Sequence, residues 1–207
     1  MEEIRSTNLL KAKRLGYPIN EDLPLLDATD YHKDLFDIGK RLLTLYAIVS
    51  CSYGFPKDRA KDWLRQEDLI DALSHRESVY LDTLSSPAQN IEKQWNVEAI
   101  WALAWAVGCH DVMDFGDSCA DNFIQMLPDL KRAASTELFL AGLELRPNAE
   151  LLEKCDLAFC LHWAIRDAEI RGSPVPGHLP AQAVVNRRRA FEWMLNEESW
   201  DDVNLDT

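Results

Sequence analysis

The sequence predicts an all-α protein that folds as a single compact domain of about seven to nine helices. Apolar residues recur at helical spacing along most of the chain, which shows neither sustained strand-like alternation nor an Asn-Gly or Asp-Gly hairpin turn. With 207 residues, of which 47% are hydrophobic, the chain is long enough to bury a substantial core. No internal repeat or low-complexity linker divides it, so residues 1–207 are expected to form one domain.

The N-terminal part of the chain predicts a short helix followed by a long one. The first covers roughly residues 3–15 and stops at Gly16. An irregular stretch, YPINEDLPLLDATD, leads to a second helix between about Tyr31 and Ser52, whose apolar residues form one stripe.

Shorter helices are predicted after this, around residues 58–65 and 67–73. The tetrapeptide SHRE, from Ser74 to Glu77, has the pattern of a capping box, in which each side chain accepts a hydrogen bond from the other residue's backbone N–H. It is expected to begin another helix that ends at about residue 84.

The middle of the chain predicts the core of the fold. Residues 88–107 form the most apolar helix, which is rich in tryptophan and is expected to be central. Residues 108–117 form a loop, and short helices are predicted at 118–126 and 135–144, with a strand at 138–145 as the alternative.

Two long helices are predicted in the C-terminal part. One covers about residues 149–171 and ends at Gly172. The turn-rich loop GSPVPGHLP then leads to a last helix, which begins near Pro180 and ends at about residue 196.

The charge balance narrows the possible partners. Lys and Arg number 22 and Asp and Glu 35, a formal net charge of −13. Such a chain repels phosphate backbones and anionic lipid surfaces, so nucleic acid and membranes are not expected as partners. A basic protein partner fits the charge better.

The cysteines and the N-terminus favour a cytoplasmic protein. The five cysteines lie mostly in apolar segments, as reduced core thiols do. The N-terminal sequence MEEIRSTNLLKAKRLG mixes charges with apolar residues, so no signal peptide is expected. The longest low-charge run, residues 94–109, is too short to cross a bilayer.

Glu98 is the only ionised side chain in that run, and tryptophans lie on both sides of it. An ionised carboxylate in such surroundings is costly unless it is paired. Three interpretations stay open: a buried pair with an arginine, a tuned acid, base or ligand-binding carboxylate, or a surface position.

His162, Arg166 and Glu169 follow one edge of the helix predicted at 149–171, in a narrow strip between two apolar faces. They are therefore candidates for a partly buried polar network, in which His162 is either a satisfied core histidine or a functional group. Asp156 falls in the sector that is expected to be solvated.

The last helix carries three consecutive arginines, and its helical phase turns one or two of them towards the core. Arg188 lies within the apolar stripe and Arg187 at its border, whereas Arg189 points the other way. The expected partners of the inward arginines are Glu98, Glu169 or the aspartates of the C-terminal segment WDDVNLDT, residues 200–207. Three apolar residues of this segment are expected to dock on the body. Its carboxylates, Asp201, Asp202 or Asp206, would then meet Arg166, Arg187 or Arg188.

The pattern of possible ligands does not indicate a metal site. Cys155 and His162 share a face but lie two helical turns, about 10 Å, apart, and no other Cys or His spacing matches a zinc motif. The sequence also contains no nucleotide-binding or nucleophile-elbow motif. No metal and no cofactor are therefore expected.

Four segments together resemble the domain of unknown function family numbered 4272: WNVEAIWALAWAVG, ELLEKCDLAFCLHWAIRDAEIRG, VVNRRRAFEWML and WDDVNLDT. The resemblance covers roughly residues 64–207, which makes residues 1–60 a less typical extension. It implies a bacterial, cytosolic, mostly helical domain without an established activity. The family's recurring positions map to Trp95, Glu98, His162, Trp163, Arg166, Arg187, Trp193, Trp200, Asp201 and Asp206. Asn186 and Glu192 depart from the family pattern, which has an acidic residue and an Asn there.

Three functional hypotheses follow. The favoured one is a non-enzymatic binding or interaction protein, of a regulatory or immunity type, that uses an acidic surface. The second is a small-ligand-binding protein or enzyme with a pocket around Glu98, His162, Arg166 and Arg187. In the third, the polar residues form only a buried scaffold.

Overall fold

The structure is a computed structural model that describes residues 1–27 and 29–207. Its α-helices are α1 (Glu2–Arg14), α2 (Leu35–Ser52), α3 (Lys57–Gln66), α4 (His75–Asp82), α5 (Pro87–Gln94), α6 (Asn96–Ala106), α7 (Glu137–Ala141), α8 (Asn148–Arg171) and α9 (Ala181–Leu195). The described residues contain no strand, so the all-α prediction is confirmed. Within this part of the chain, no helix combines the length and the apolar character that crossing a membrane requires.

The longer helices pack side by side in a series. α1 lies against α8, α8 against α9, α9 against α6, and α6 against α2. The shorter helices α3 and α5 pack on α2, and α4 packs on α3. The middle of the series is the densest part of the core, where the rings of Trp105 on α6 and Phe191 on α9 meet edge to face, with centroids 6.1 Å apart.

The predicted helix at 88–107 is two helices, α5 and α6, which meet at Trp95. At this junction the backbone N–H of Glu98 donates to the carbonyl of Trp95, three residues back, in a tighter turn than an α-helix makes. The two parts also differ in environment, because α5 has no buried residue whereas nearly all of α6 is buried. The expectation of a Trp-rich central helix therefore applies to α6.

Some predicted short helices are only single turns. Residues 118–126 contain a 3₁₀ turn at Phe123–Met126, and residues 67–73 contain one at Ile70–Ala72. Phe123 is the one buried residue of its turn, so the segment lacks the apolar face that stabilises a longer helix. The segment at 138–145 includes the end of α7, and the alternative of a strand there is wrong.

Capping residues set several helix boundaries. The capping box of α4 is present: the Glu77 N–H donates to Ser74 Oγ at 3.3 Å, and the Ser74 N–H donates to Glu77 Oε2 at 2.8 Å. α2 begins at Leu35 rather than near Tyr31, because Asp34 accepts a hydrogen bond from the Asp37 N–H at 2.8 Å. α8 ends at Gly172, whose φ of 64° lies in the left-handed region.

Candidate functional site

Glu98 on α6 and Arg187 on α9 form a buried ion pair. Arg187 donates from Nε and Nη2 to Glu98 Oε2 at 2.8 and 2.7 Å, and the two side chains are 2% or less exposed. The other carboxylate oxygen accepts from the Cys119 N–H at 3.1 Å, and Arg187 also donates to the carbonyls of Asp114 and Asp117. The pair thus holds the loop between α6 and α7 against the core. Of the three interpretations of Glu98 given above, the structure shows the first, a buried pair with an arginine.

His162 on α8 meets Arg188 on α9. Arg188 Nη1 lies 2.7 Å from His162 Nδ1, and because a guanidinium only donates, Nδ1 accepts and the imidazole is neutral. Burial and the positive charges of Arg188 and Arg166 lower the pKa of His162 to about 4. Arg188 is further bound by Glu192 Oε1 at 3.1 Å, so His162 belongs to a packed polar network.

Arg166 and Glu169 do not join this network. They pair with each other on the surface, where their side chains are 51% and 42% exposed. The neighbouring Ile170 is also exposed, so this end of α8 is not covered by another helix. The expected polar strip is therefore split, with His162 inside and the other two side chains outside.

A second buried pair, between Arg5 on α1 and Asp156 on α8, was not predicted from the sequence. Arg5 donates from Nε and Nη2 to Asp156 Oδ1 at 3.0 and 2.7 Å, and Asn8 Nδ2 donates to Asp156 Oδ2 at 3.0 Å. Asp156 was expected to be solvated, but α1 covers it completely. The signal that could have revealed the pair is the spacing of Arg5, Asn8 and Ala12 on one face of α1.

The C-terminal segment 200–207 docks on the helices through the ring of Trp200 and through its backbone carbonyls. Trp200 packs edge to face on Trp193, with ring centroids 5.9 Å apart, and the Arg41 guanidinium lies 5.2 Å from the Trp200 ring centroid. The carbonyls of Leu205 and Asp206 accept from Arg188 at 3.0 and 2.9 Å.

The carboxylates of the segment do not meet the expected arginines. Asp201 Oδ2 accepts from the backbone N–H of Arg76 at 2.9 Å, in the first turn of α4, and Asp202 accepts from Ser199 Oγ at 2.6 Å. Asp206 reaches Arg188 through its carbonyl rather than its carboxylate. The reason is that Glu192, which belongs to the same helix as Arg188, already supplies the carboxylate.

A cavity of about 210 Å³ lies beneath this segment and is lined mainly by polar side chains. We call it the polar cavity. Its walls come from the first turn of α4, the junction of α5 and α6, one face of α9 and the C-terminal segment. The lining residues are Arg76, Glu77, Glu92, Lys93, Asn96, Gln182, Val185, Asn186, Arg189, Trp200, Asp201 and Val203.

Each acidic residue of the polar cavity has at least one partner, although the buried Glu77 Oε1 accepts no hydrogen bond from the described part of the chain. Glu77 Oε2 accepts from Arg41 Nη2 at 2.6 Å, Glu92 pairs with Lys93 at 3.2 Å, and Asp201 accepts from a backbone N–H. In contrast, within the described residues no carboxylate oxygen lies within 4.0 Å of the guanidinium of Arg189. Burial lowers the pKa of Arg189, although Glu92 counteracts this shift.

A wider cleft of about 650 Å³ opens on the other side of Trp200. Trp193 and Trp200 form one wall, and Lys33 lies 5.5 Å from the Trp193 ring centroid. The buried pair of Arg41 and Glu77 separates this tryptophan cleft from the polar cavity, because Arg41 lines the cleft and Glu77 lines the cavity. Glu98, His162, Arg166 and Arg187 line neither space, so they do not form the pocket that was hypothesised around them.

The thiols are not arranged for chemistry. All five cysteines are free, and burial raises the pKa of Cys119 and of Cys160 to about 12 and that of Cys155 well above its ordinary value. Over residues 1–27 and 29–207, no group of three or more His, Cys, Asp or Glu side chains is placed to hold a metal ion. These thiols therefore behave as small apolar core groups.

Fold and site together define a helical single-domain protein with a polar cavity beneath its C-terminal segment. Residues 5–203 match the family described as Domain of unknown function (DUF4272), so the chain belongs to that family, and the resemblance seen in the sequence is confirmed. The match starts within α1 and includes the N-terminal helices. No curated protein and no solved structure matches the chain.

Proposed function

We propose that the protein is a non-enzymatic binding protein that holds a small polar anion in the polar cavity. The observation that supports this proposal is the Arg189 guanidinium, which lies half-buried at the cavity wall without a carboxylate partner among the described residues. A partly desolvated charge without a close counter-ion is unfavourable, and an anionic ligand would supply that counter-ion. The planar donor fork of arginine suits a carboxylate or a phosphate.

The remaining walls suit a ligand that is polar over most of its surface. The amides of Asn96, Gln182 and Asn186 can both donate and accept hydrogen bonds, and Asn96 and Asn186 are at least 94% buried. A volume of about 210 Å³ limits the ligand to a small molecule. Each carboxylate of the cavity already has a cationic or backbone N–H partner, which suits binding better than proton transfer.

Titration calorimetry with a panel of small anions tests the proposal. Phosphate, malonate, citrate and glutamate cover the size and charge that the cavity suits. At least one should bind saturably, and Arg189→Gln should weaken it about tenfold, as expected for loss of a charge-assisted hydrogen bond.

The matched control is Arg166→Gln, which removes an arginine from the exposed end of α8 and should leave the affinity unchanged. Circular dichroism establishes that both variants fold. Equal affinity in Arg189→Gln and the wild type would contradict the proposal, as would the failure of every anion in the panel to bind.

We propose as a second candidate the interaction of an acidic surface with a basic protein partner. The net charge of −13 supports it, as do the exposed carboxylates of Glu197, Glu198 and Asp202 around the tryptophan cleft. We take the protein to be cytoplasmic because of its cysteine content, and bacterial because of the family resemblance. A regulatory or immunity-type role would then consist in neutralising that partner.

A pull-down from bacterial lysate at 50 and 500 mM salt examines this second candidate. Its partner should be retained at low salt and released at high salt, because exposed charges are screened. The variant Glu197→Gln/Glu198→Gln should recover less of it, whereas Glu2→Gln/Glu3→Gln, which removes the same charge from α1, should not. Recovery of no salt-sensitive partner would count against the candidate.

A further inference from the structure

An apolar groove of about 620 Å³ lies where α2 ends and α3 begins. We call it the aromatic groove. Tyr46 and Val49 on α2 form its floor together with Leu130, and all three are buried. Tyr53 and Phe55 form its rim, and Tyr53 is 67% exposed. The groove therefore offers ring faces and aliphatic groups to a ligand.

The charged residues of the groove are of one sign. Arg59 and Lys131 line it, and the lining residues include no Asp or Glu, although the chain has 35 acidic residues and only 22 basic ones. Arg59 donates from Nη2 to the carbonyl of Lys131 at 2.8 Å, which uses one of its N–H donors and holds the two cations at the same edge.

The nearest acidic residues along the chain do not neutralise these cations: Asp58, beside Arg59, pairs with Lys61 at 3.1 Å, and Asp129, near Lys131, is engaged by other groups. The Asp129 carboxylate accepts from the backbone N–H groups of Lys131 and Arg132 at 2.9 and 3.3 Å and lies 3.5 Å from the Arg132 guanidinium. The side-chain charges of Arg59 and Lys131 thus remain available at the edge of the groove.

We propose that the aromatic groove binds an organic acid with an aromatic body, which places its ring against the accessible side chains of Tyr53 and Phe55, above the buried floor, and its carboxylate between Arg59 and Lys131. The charge complementarity is local, because the groove is cationic on a protein whose net charge is −13. This site is separate from the polar cavity, whose lining shares no residue with it. The two proposals can therefore fail independently.

Two fluorescent probes test the proposal on the full-length protein. They are 1-anilinonaphthalene-8-sulfonate and its uncharged counterpart N-phenyl-1-naphthylamine, which has the same rings without the sulfonate. The anionic probe should bind saturably, and indole-3-acetate should displace it. In an ¹⁵N-correlated NMR spectrum, the amides of Ser50 and Gly54, which line the groove, should shift on addition of indole-3-acetate.

Variants of the groove distinguish what its charges contribute to probe binding from what its apolar surface contributes. Arg59→Gln/Lys131→Gln should weaken the anionic probe by about two- to fivefold per charge, as for exposed ion pairs, and leave the uncharged probe unchanged. Lys13→Gln/Arg14→Gln is the matched control, because it removes the same two charges from the exposed end of α1, outside the groove, and should change neither affinity.

Tyr53→Ala should weaken both probes, since it removes an exposed ring from the rim without touching the core. The proposal is overturned if the double variant binds the anionic probe as well as the wild type does. Failure of indole-3-acetate to displace the probe overturns it as well, as do NMR shifts that avoid Ser50 and Gly54.

Discussion

Several charged residues of this protein are buried in matched pairs. Arg187 with Glu98, Arg5 with Asp156 and Arg41 with Glu77 each join helices that lie far apart in the sequence. Withdrawing two charges from water costs several kcal/mol per ion, and the mutual attraction offsets this only when the geometry is good. These pairs therefore specify which helix faces which, and removing one partner should be far more damaging than replacing both.

Glu98→Gln is expected to lower the free energy of unfolding by about 3 to 5 kcal/mol, because it leaves the fully buried Arg187 without a counter-charge. Urea denaturation of the variant and the wild type measures this difference. Glu169→Gln is the control, since its pair with Arg166 is exposed and should contribute less than about 1 kcal/mol. Equal losses of free energy of unfolding in the two variants would show that breaking the buried Glu98 pair is no more destabilising than breaking the exposed Glu169 pair.

The lowered pKa of His162 predicts a pH dependence of stability. The pKa is about 4 in the folded protein, against an ordinary value of 6.5, so between these pH values the unfolded chain binds a proton that the folded chain does not. Neutral His162 therefore contributes about 3 kcal/mol to the free energy of unfolding. This contribution is fully present above pH 6.5 and is lost as the pH falls towards 4.

Denaturant titrations at pH 7 and pH 4.5 measure this effect in the wild type and in His162→Gln, whose amide oxygen can still accept from Arg188. The variant should lose less stability on acidification than the wild type. His75→Gln, at an exposed position, controls for the removal of an imidazole. Identical pH profiles in the wild type and His162→Gln would refute the assignment.

The helical phase of the sequence predicts which side chains turn inwards, but not what they meet. It turned Arg188 and, at the border of the apolar stripe, Arg187 inwards, and both are buried, whereas for Glu98 it left a surface position open. It assigned Asp156 to solvent, because periodicity along α8 alone does not reveal that α1 covers that sector. The polar cavity was not predicted from the sequence for the same reason, since its residues come from four separate parts of the chain.

Among the elements of the fold, the C-terminal segment 200–207 connects three helices that are separate in the sequence. Its Trp200 ring contacts α9 and α2, its Asp201 caps α4, and its last carbonyls hold Arg188. The segment also covers the polar cavity. An apolar residue pattern predicted the docking, whereas the use of backbone carbonyls is invisible in a sequence.

Deletion of residues 200–207 is expected to destabilise the whole domain by several kcal/mol, about 3 to 5, because it exposes the Trp193 face and leaves Arg188 without two acceptors. Thermal unfolding followed by circular dichroism measures the loss. Asp202→Ala serves as the control, since its carboxylate bonds only to the exposed Ser199 and should change little. An unchanged melting temperature in the deletion variant would mean that the segment is not part of the cooperative unit.

Helix boundaries were predictable where a capping residue marks them and not where packing decides them. The capping box at Ser74 and the glycine at 172 are local signals, and both ends were predicted closely. The break at Trp95 has no such signal, because neither Gly nor Pro interrupts the apolar pattern there. It follows instead from the different burial of α5 and α6.

On the scale of the whole molecule, the excess of negative charge opposes folding. Exposed carboxylates repel one another more strongly when the chain is compact, and a net charge of −13 makes this term unfavourable. Salt screens exposed charges more than buried ones, so the pairs of Arg187, Arg5 and Arg41 should keep most of their strength. As salt is added, the repulsion between exposed carboxylates should therefore weaken while the buried ion pairs persist.

The melting temperature should consequently rise with ionic strength. If screening contributes about 1 kcal/mol between 10 and 300 mM sodium chloride, the rise is about 2 to 4 °C for a chain of this size. Calorimetry at constant pH measures it, and the uncharged osmolyte sucrose at matched osmolality separates screening from exclusion at the surface. A melting temperature that falls with added chloride would show that exposed ion pairs stabilise this protein more than its net charge destabilises it.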